Sequence, residues 1–446
     1  MILTLRFRLL IAAFAIFGLC QSCYGPSDKV SAAANSDPGE SATTLTPAPA
    51  PIPGPEGSSS RSAEENPDAN TEGANTEGEA SPAAQCDLSA QLAQANEQST
   101  DSAYSVIDEQ QAAQFEVPGS EVFQTGSLSD QAIDFDERAL LSTLQGTRKY
   151  FLEQGCQDPK ILREGILGTQ NISVADVLNT IDFMIETLSA DITAAQPTRL
   201  KDPNFINQNF QVVRWLAYDP QNINETRLRI TKYAVFTHPG SRERTDVYNI
   251  PVYKIRDDIT DDAFITNYTK QEVLSGIFEE GGAEHGNVDT LAYLSRESFE
   301  DALLQGTAYV TFPDGSAAYF NVDKNNGIAY IPGLAQQQQQ RYWYFKEVEQ
   351  LKGYGHSSDV KIPIDPGVTF AGDVLNIGLG KIIAIEDSNQ NIRIGMIADT
   401  GGAFLPNLHQ LDFFAGVFPS RDAYQQAVQQ LPTYANTYIL LKKEAP

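Results

Sequence analysis

Ile392-Arg393-Ile394-Gly395-Met396-Ile397-Ala398-Asp399-Thr400-Gly401-Gly402 is the stretch on which the architecture turns. Its first residues alternate in the way a strand with one buried face requires. The same pattern recurs in Arg227-Leu228-Arg229-Ile230-Thr231-Lys232-Tyr233 and in Ala308-Tyr309-Val310-Thr311-Phe312. Pro313-Asp314-Gly315 and Asn325-Asn326-Gly327 supply turns between such runs. Many short strands at close spacing predict β-barrels rather than an open parallel sheet. The fold is therefore expected to be mainly β from about residue 201 onward.

Upstream the period changes. In residues 86–200 Ser173-x-x-Asp176 has the form of a helix start, and Val177, Leu178, Ile181, Met184, Ile185 and Leu188 recur at helical spacing. Leu140, Leu141, Leu144 and Phe151 trace a second stripe, so this region is read as helical, its apolar faces turned to a core. Residues 24–85 are dominated by Ala, Pro, Ser, Thr, Gly and Glu and lack the aromatic and branched residues that offset ordering entropy, which predicts a disordered tether. In residues 1–23, Arg6 and Arg8 precede an apolar run from Leu9 to Leu19 that is too short to span a bilayer, and Cys20 and Cys23 follow. A Cys after such a core resembles a bacterial lipoprotein signal. Cys23, behind small Ser22, fits the lipidated position better than Cys20, and an ordinary cleaved signal is the alternative.

The length of 446 residues suits two domains. A formal net charge of -27 excludes a nucleic-acid partner, whose phosphates need clustered Lys and Arg. With Cys20 removed and Cys23 lipidated, Cys86 and Cys156 form an even pair in an oxidising compartment, expected either to be bridged or to stay as two buried thiols. Such a bridge would contribute ~4 kcal/mol through chain entropy. His238, His285, His356 and His409 make no paired-ligand pattern, so neither a metal nor an organic cofactor is expected. Gln336 to Gln340 reads as a polar surface loop.

The residues that carry chemistry gather near the carboxyl terminus: Ile364-Asp365-Pro366-Gly367, Ile397-Ala398-Asp399-Thr400-Gly401-Gly402-Ala403 and Leu411-Asp412-Phe413-Phe414. Each Asp lies in an apolar segment, where an unpaired carboxylate is costly and tends to keep its proton. A protonated Asp aimed at a glycosidic oxygen is the general acid that glycan cleavage needs, and a neighbouring carboxylate raises its pKa further. By spacing alone, Asp-Pro-Gly and Asp-Thr-Gly-Gly are also turn sequences. Asp399-Thr400-Gly401 would pass for the motif of an aspartic protease, but a single chain of that class needs two copies, and the sequence holds one.

Taken in order, the three aspartates resemble the 3D (three-aspartate) domain of the MltA-type membrane-bound lytic murein transglycosylases. The likeness extends upstream through Phe236-Thr237-x-Pro239, Arg242-x-Arg244-Thr245, Ile250-Pro251-Val252-Tyr253, Leu304-Gln305-Gly306-Thr307-Ala308-Tyr309, Asp314-Gly315-Ser316, Asn326-Gly327-x-Ala329-Tyr330 and Tyr344-Phe345-Lys346. It covers about Asp134 to the end.

The resemblance implies a double-psi β-barrel from residues 201–268 and 347–446, with the 3D domain at 360–446. A smaller β-barrel domain, 269–346, is inserted, and glycan binds between the two. It implies a cofactor-free, non-hydrolytic exotransglycosylase of cell-wall turnover. The enzyme would cut the β-1,4 bond between N-acetylmuramic acid and N-acetylglucosamine to leave 1,6-anhydromuramyl ends. Asp412 matches the catalytic acid, Asp399 an orienting and electrostatic partner, and Asp365 a supporting third. Gln305, Gly306 and Thr307 match a groove-lining stretch, although Gln305 and Thr307 also read as strand or turn residues. Gly401 and Gly402 would flank the sugar. The expected partners are peptidoglycan strands, a membrane reached through the lipid anchor, and proteins of cell-wall synthesis or division. The expected place is the cell envelope, as an outer-membrane lipoprotein facing the periplasm or as a soluble periplasmic or secreted protein.

The stretch Phe404 to Gln410 departs from the family, which places a shorter Ile-Lys-Gly segment there. A non-catalytic glycan-binding barrel and a hydrolase of another polysaccharide stand as alternatives on that ground.

Overall fold

The computed structural model describes residues 103–108, 110–328, 331, 333–401, 404 and 406–444. The signal at 1–23 with Cys23, the tether at 24–85, Cys86 and Gly402 lie outside the described residues. Cys156 is disulfide-bonded. Among the described residues no helix is long and apolar enough to cross a membrane.

The chain is mainly sheet with helices. In order the strands are β1 Tyr104–Ile107, β2 Ala113–Val117, β3 Phe123–Thr125, β4 Ile133–Asp134, β5 Phe210–Trp215, β6 Leu228–Ser241, β7 Ile250–Ile255 and β8 Val288–Leu294. They continue as β9 Thr307–Thr311, β10 Ala317–Asn325, β11 Trp343–Val348, β12 Thr369–Ala371, β13 Ile382–Glu386, β14 Ile392–Asp399, β15 Gln410–Phe418 and β16 Tyr434–Lys442. Hydrogen-bonded pairing runs β11-β10-β9-β6-β15-β12-β14-β13-β16-β5-β3, and β16 also meets β6 at Tyr434↔Arg229 and Ala435↔Leu228.

Two hydrophobic cores form. The larger extends from Val106 to Leu441 and takes in β14, whose Ile392, Ile394, Met396, Ile397 and Ala398 are fully buried. It also takes in the apolar faces of the helices Glu137–Gln154 and Val174–Thr193. The second helix starts at the expected place: Ser173 and Asp176 make a reciprocal capping box. The region read as helical therefore shares one core with the strands. It also contains β1 to β4, which helical periodicity did not reveal. β2 is largely exposed and lacks the alternation that marks a strand.

The smaller core extends from Val252 to Phe345 and so begins upstream of residue 269; β7 packs within it. β6 is long enough to serve both cores. Its first half pairs with β15 in parallel and its end pairs with β9 and β8. The glutamine tract is at the surface, with Gln337, Gln338 and Gln340 exposed, and it is anchored. The Lys270 ammonium donates to the Gln336 carbonyl at 2.5 Å, the Gln271 amide to the carbonyls of Gln337 and Gln339, and the Gln339 side chain closes on Ile331 and Leu334.

Gly395 shows how tightly β14 meets β12. A Cβ there would lie 2.4 Å from the Val368 carbonyl oxygen, which belongs to backbone and cannot turn aside. Gly395→Ala is expected to cost about 3 kcal/mol, read as a lower melting temperature, because overpacking against a strand forces the two strands apart.

Candidate active site

Alternation along β6 and β15 creates the site. Leu228 and Ile230, with Leu411 and Phe413, point into the larger core. Arg229 and Thr231, with Gln410 and Asp412, therefore share the opposite face, and the parallel register sets them in rows, Arg229↔Gln410 and Thr231↔Asp412, while the next row pairs Tyr233 with Phe414, which is itself fully buried in the larger core. The short strand β12 joins the two acids. Ala371 pairs with Asp412 on one side and with Asp399 on the other, which puts the two backbones roughly 10 Å apart, two interstrand spacings.

The two carboxyls are held differently. Both Asp399 oxygens are engaged: the Tyr233 hydroxyl donates to Oδ2 at 2.8 Å and the Thr400 N–H to Oδ1 at 2.8 Å. Burial pushes Asp399 up to about 6, against the lowering effect of the Tyr233 bond, the Thr400 N–H and the Lys361 charge. Asp412 has fewer partners. Its Oδ1 is shielded from solvent without a hydrogen bond. Burial pushes Asp412 up to about 7 and the Asp399 charge adds to this, while the Thr231 hydroxyl, Lys232 and Arg229 pull the other way. Each of the two residues is half-buried, so neither sits in a sealed interior.

The Thr231 hydroxyl is itself tied, donating to the Leu411 carbonyl at 3.2 Å and accepting from the Gln410 amide at 3.0 Å. Tyr233 stacks on Phe414, ring centroids 5.0 Å apart, which aims its hydroxyl at Asp399.

The smaller core supplies one wall through a chain of polar contacts. The Asn321 amide donates to Thr307 Oγ1 at 2.8 Å, and the Lys361 ammonium donates to Asn321 Oδ1 at 2.9 Å and to the Val322 carbonyl at 3.2 Å. Lys361 in turn lies close enough to Asp399 to favour its charged form. Thr307 is thus connected to Asp399 through two residues. Gln305 ends the helix Arg296–Gln305, with its Oε1 shielded and unpartnered. Gly306 follows at φ +73°, where a Cβ would meet the Trp343 ring at 2.4 Å, so only glycine serves. Gly401 accepts the Phe404 N–H at 3.0 Å beside Asp399.

Asp365 does not join the pair. Its side chain lies against Ser142 and Thr143 of the helix Glu137–Gln154, where burial raises its pKa, and its backbone is closed by Thr369. An aspartate before Pro-Gly turns the chain here, and the nearest hydroxyls belong to the helix. Tyr233, Thr231, Asn321 and Lys361 were not singled out from sequence. The signal for the first two was present in the alternation of Arg229-x-Thr231-x-Tyr233, whose polar positions must face away from the core.

No protein-family model and no curated protein matches the chain. Solved structures similar to it include a membrane-bound lytic murein transglycosylase from Agrobacterium tumefaciens, at 17% identity over 72% of this chain and 98% of that one, TM-score 0.49. E. coli MltA with bound chitohexaose is 17% identical over 73% of this chain and 95% of its own, TM-score 0.46. MltA from Neisseria gonorrhoeae is 15% identical over 72% and 98%, TM-score 0.44. In structure the chain is similar to MltA lytic murein transglycosylases.

Proposed function

We propose that the protein is a peptidoglycan lytic transglycosylase with Asp412 as its general acid. One contrast carries this reading: Asp412 keeps a shielded, unpartnered carboxyl oxygen, whereas both oxygens of the facing Asp399 are occupied. A hydrolase needs its second carboxylate free to take a proton from water or to attack carbon. Asp399 is instead suited to hold a negative charge still, and that charge helps keep the proton on Asp412. The proton passes from Asp412 to the bridging oxygen as the N-acetylglucosamine unit leaves. The muramyl C6 hydroxyl closes on its own anomeric carbon, and its proton returns to the Asp412 carboxylate. Atoms balance without water.

On this reading the strand circuit β6-β15-β12-β14-β13-β16, with β16 returning to β6, is the double-psi barrel, and β7 to β11 make the inserted domain. Cleavage from chain ends, lipidation at Cys23, a Cys86–Cys156 bridge, the periplasmic face of an outer membrane and recruitment by cell-wall proteins belong to the same proposal. Digestion of purified sacculi tests it. Mass spectrometry should find 1,6-anhydromuramyl ends; reducing ends would identify a hydrolase, and unchanged sacculi a binding protein.

Tyr233→Phe gives a finer test. Losing the donor at Asp399 Oδ2 raises that carboxyl above about 6, so Asp399 takes up its proton at higher pH. The acidic limb of the kcat/KM profile is expected to move up by about one pH unit while the alkaline limb, set by Asp412 near 7, moves little.

A further inference from the structure

Acidic residues outnumber basic ones in this chain by 58 to 31, and most arginines among the described residues pair with carboxylates. Arg227 is one such case, held by Glu225 at 2.9 and 2.8 Å. Arg229, two residues on, is different. Its guanidinium makes no hydrogen bond or ion pair among the described residues, although it is half-buried beside a catalytic candidate. Its backbone is fixed from both sides, by Gln410 in β15 and Tyr434 in β16. It shares the open face with Thr231 and Asp412 and stands one row along, roughly 7 Å from the acid's row. Lys232 is a second cation near enough to influence Asp412, whereas burial and the Arg229 charge lower the pKa of His409 and favour its neutral form, with Asp219 acting the other way.

A cation kept unpaired among surplus carboxylates is available to a ligand anion, and a guanidinium fork matches a carboxylate in two parallel hydrogen bonds. Resting on the glycan-cleaving reading above, we infer that Arg229 is a specificity-determining residue that binds a carboxylate carried on the lactyl arm of the muramyl sugar next to the cut bond. That carboxylate is either the free lactyl group or an acid of the attached peptide. The chain would thereby select acid-bearing glycan over uncharged chitin-type glycan, which has the same backbone and nothing for Arg229 to hold.

Calorimetric titration of the Asp412→Asn protein, which leaves its probes uncut, tests this. The probes are a N-acetylglucosamine–N-acetylmuramic acid tetrasaccharide with free lactyl carboxylates, the same sugar with its peptides, and chitotetraose. Adding Arg229→Gln is expected to weaken the acid-bearing probe about tenfold or more while chitotetraose is unchanged, and Arg229→Lys, which keeps charge without the fork, falls between. Loss confined to the peptide-bearing probe assigns the peptide acid, and loss confined to the peptide-free one assigns the lactyl group. Methyl esterification of the probe should reproduce the loss on protein with Arg229 intact, which keeps the test valid if the double variant does not fold. Unchanged affinity for the acid-bearing probes in Arg229→Gln, or for their esters on intact protein, overturns the inference alone. Failure of all three sugars to bind protein with Arg229 intact overturns the glycan reading with it.

Discussion

Asp412→Asn is expected to lower turnover of peptidoglycan by about 10³–10⁴-fold and, at the same time, to make the protein more stable at neutral pH. The first effect follows from removing the acid whose carboxyl oxygen is left without a partner, since the Asn amide cannot give up a proton to a leaving oxygen. The second follows from linkage. Asp412 titrates near 7 when folded and near the ordinary carboxyl value when unfolded. Between those values the native state binds the extra proton, so stability declines as pH rises from about 4 to 7, and the cost is fully present above 7. Asn carries no such cost. Solvent reaches part of the side chain, and Lys232 and Arg229 offset part of the penalty, so the gain is roughly 2 kcal/mol above pH 7. Urea unfolding of both proteins at pH 5 and pH 8 measures it. An equal gap at the two pH values, or a less stable variant at pH 8, would show that Asp412 is ionised without strain and remove the reason for choosing it as the acid.

This coupling of activity to instability was partly legible in the residues. Ile392 to Ile397 and Arg227 to Tyr233 declared their strands by alternation, and Asp399 and Asp412 stood out as acids in apolar runs that the fold then sets on either side of Ala371. Asp365 looked alike locally and has a different fate, because burial beside Ser142 and Thr143 depends on a helix over 200 residues earlier. Tyr233 was hidden for the same reason. Its bond to Asp399 spans 166 residues of sequence and exists only once β6 and β14 are brought together with two strands, β15 and β12, between them, and nothing in a lone Tyr signals that. Lys361 between Val360 and Ile362 was an oddity in an apolar run, yet its partner Asn321 lies in the other core. The glutamine tract lies at the surface as its composition indicated, but its anchoring comes from Lys270 and Gln271, 66 and more residues away. Local pattern fixes elements and their faces, while the pairing of polar groups across elements is decided by topology that no single stretch contains.

Asp373→Asn is expected to release the loop after Asp399 and to cost about 2–4 kcal/mol, although it changes one atom. Asp373 is completely buried, and four donors converge on it. Oδ1 accepts the N–H groups of Leu375 and Asn376 at 3.1 and 2.9 Å; Oδ2 accepts the Asn376 amide at 2.7 Å and the Asn407 N–H at 2.9 Å. An Asn side chain must point its NH₂ at one of these pairs, so in either orientation two buried donors face a donor. With Oδ1 retained, the damage falls on Asn407, and with it on the segment whose Leu408 carbonyl accepts Trp215 Nε1 and which delivers Gln410 and Asp412 to β15. It falls also on Asn376, which holds Ile107 through both its N–H and its carbonyl at 2.9 Å. Burial raises Asp373 to about 6, so the native protein gains stability as pH drops from 6 toward 4, a gain the non-titrating Asn cannot share. The deficit of the variant should therefore be wider at pH 5 than at pH 7.5. Hydrogen exchange should show faster opening of 406–410 with β13 and β14 unaffected, and turnover should fall with it. Protection of 406–410 equal to wild type would mean that Asp373 caps its own turn and nothing more.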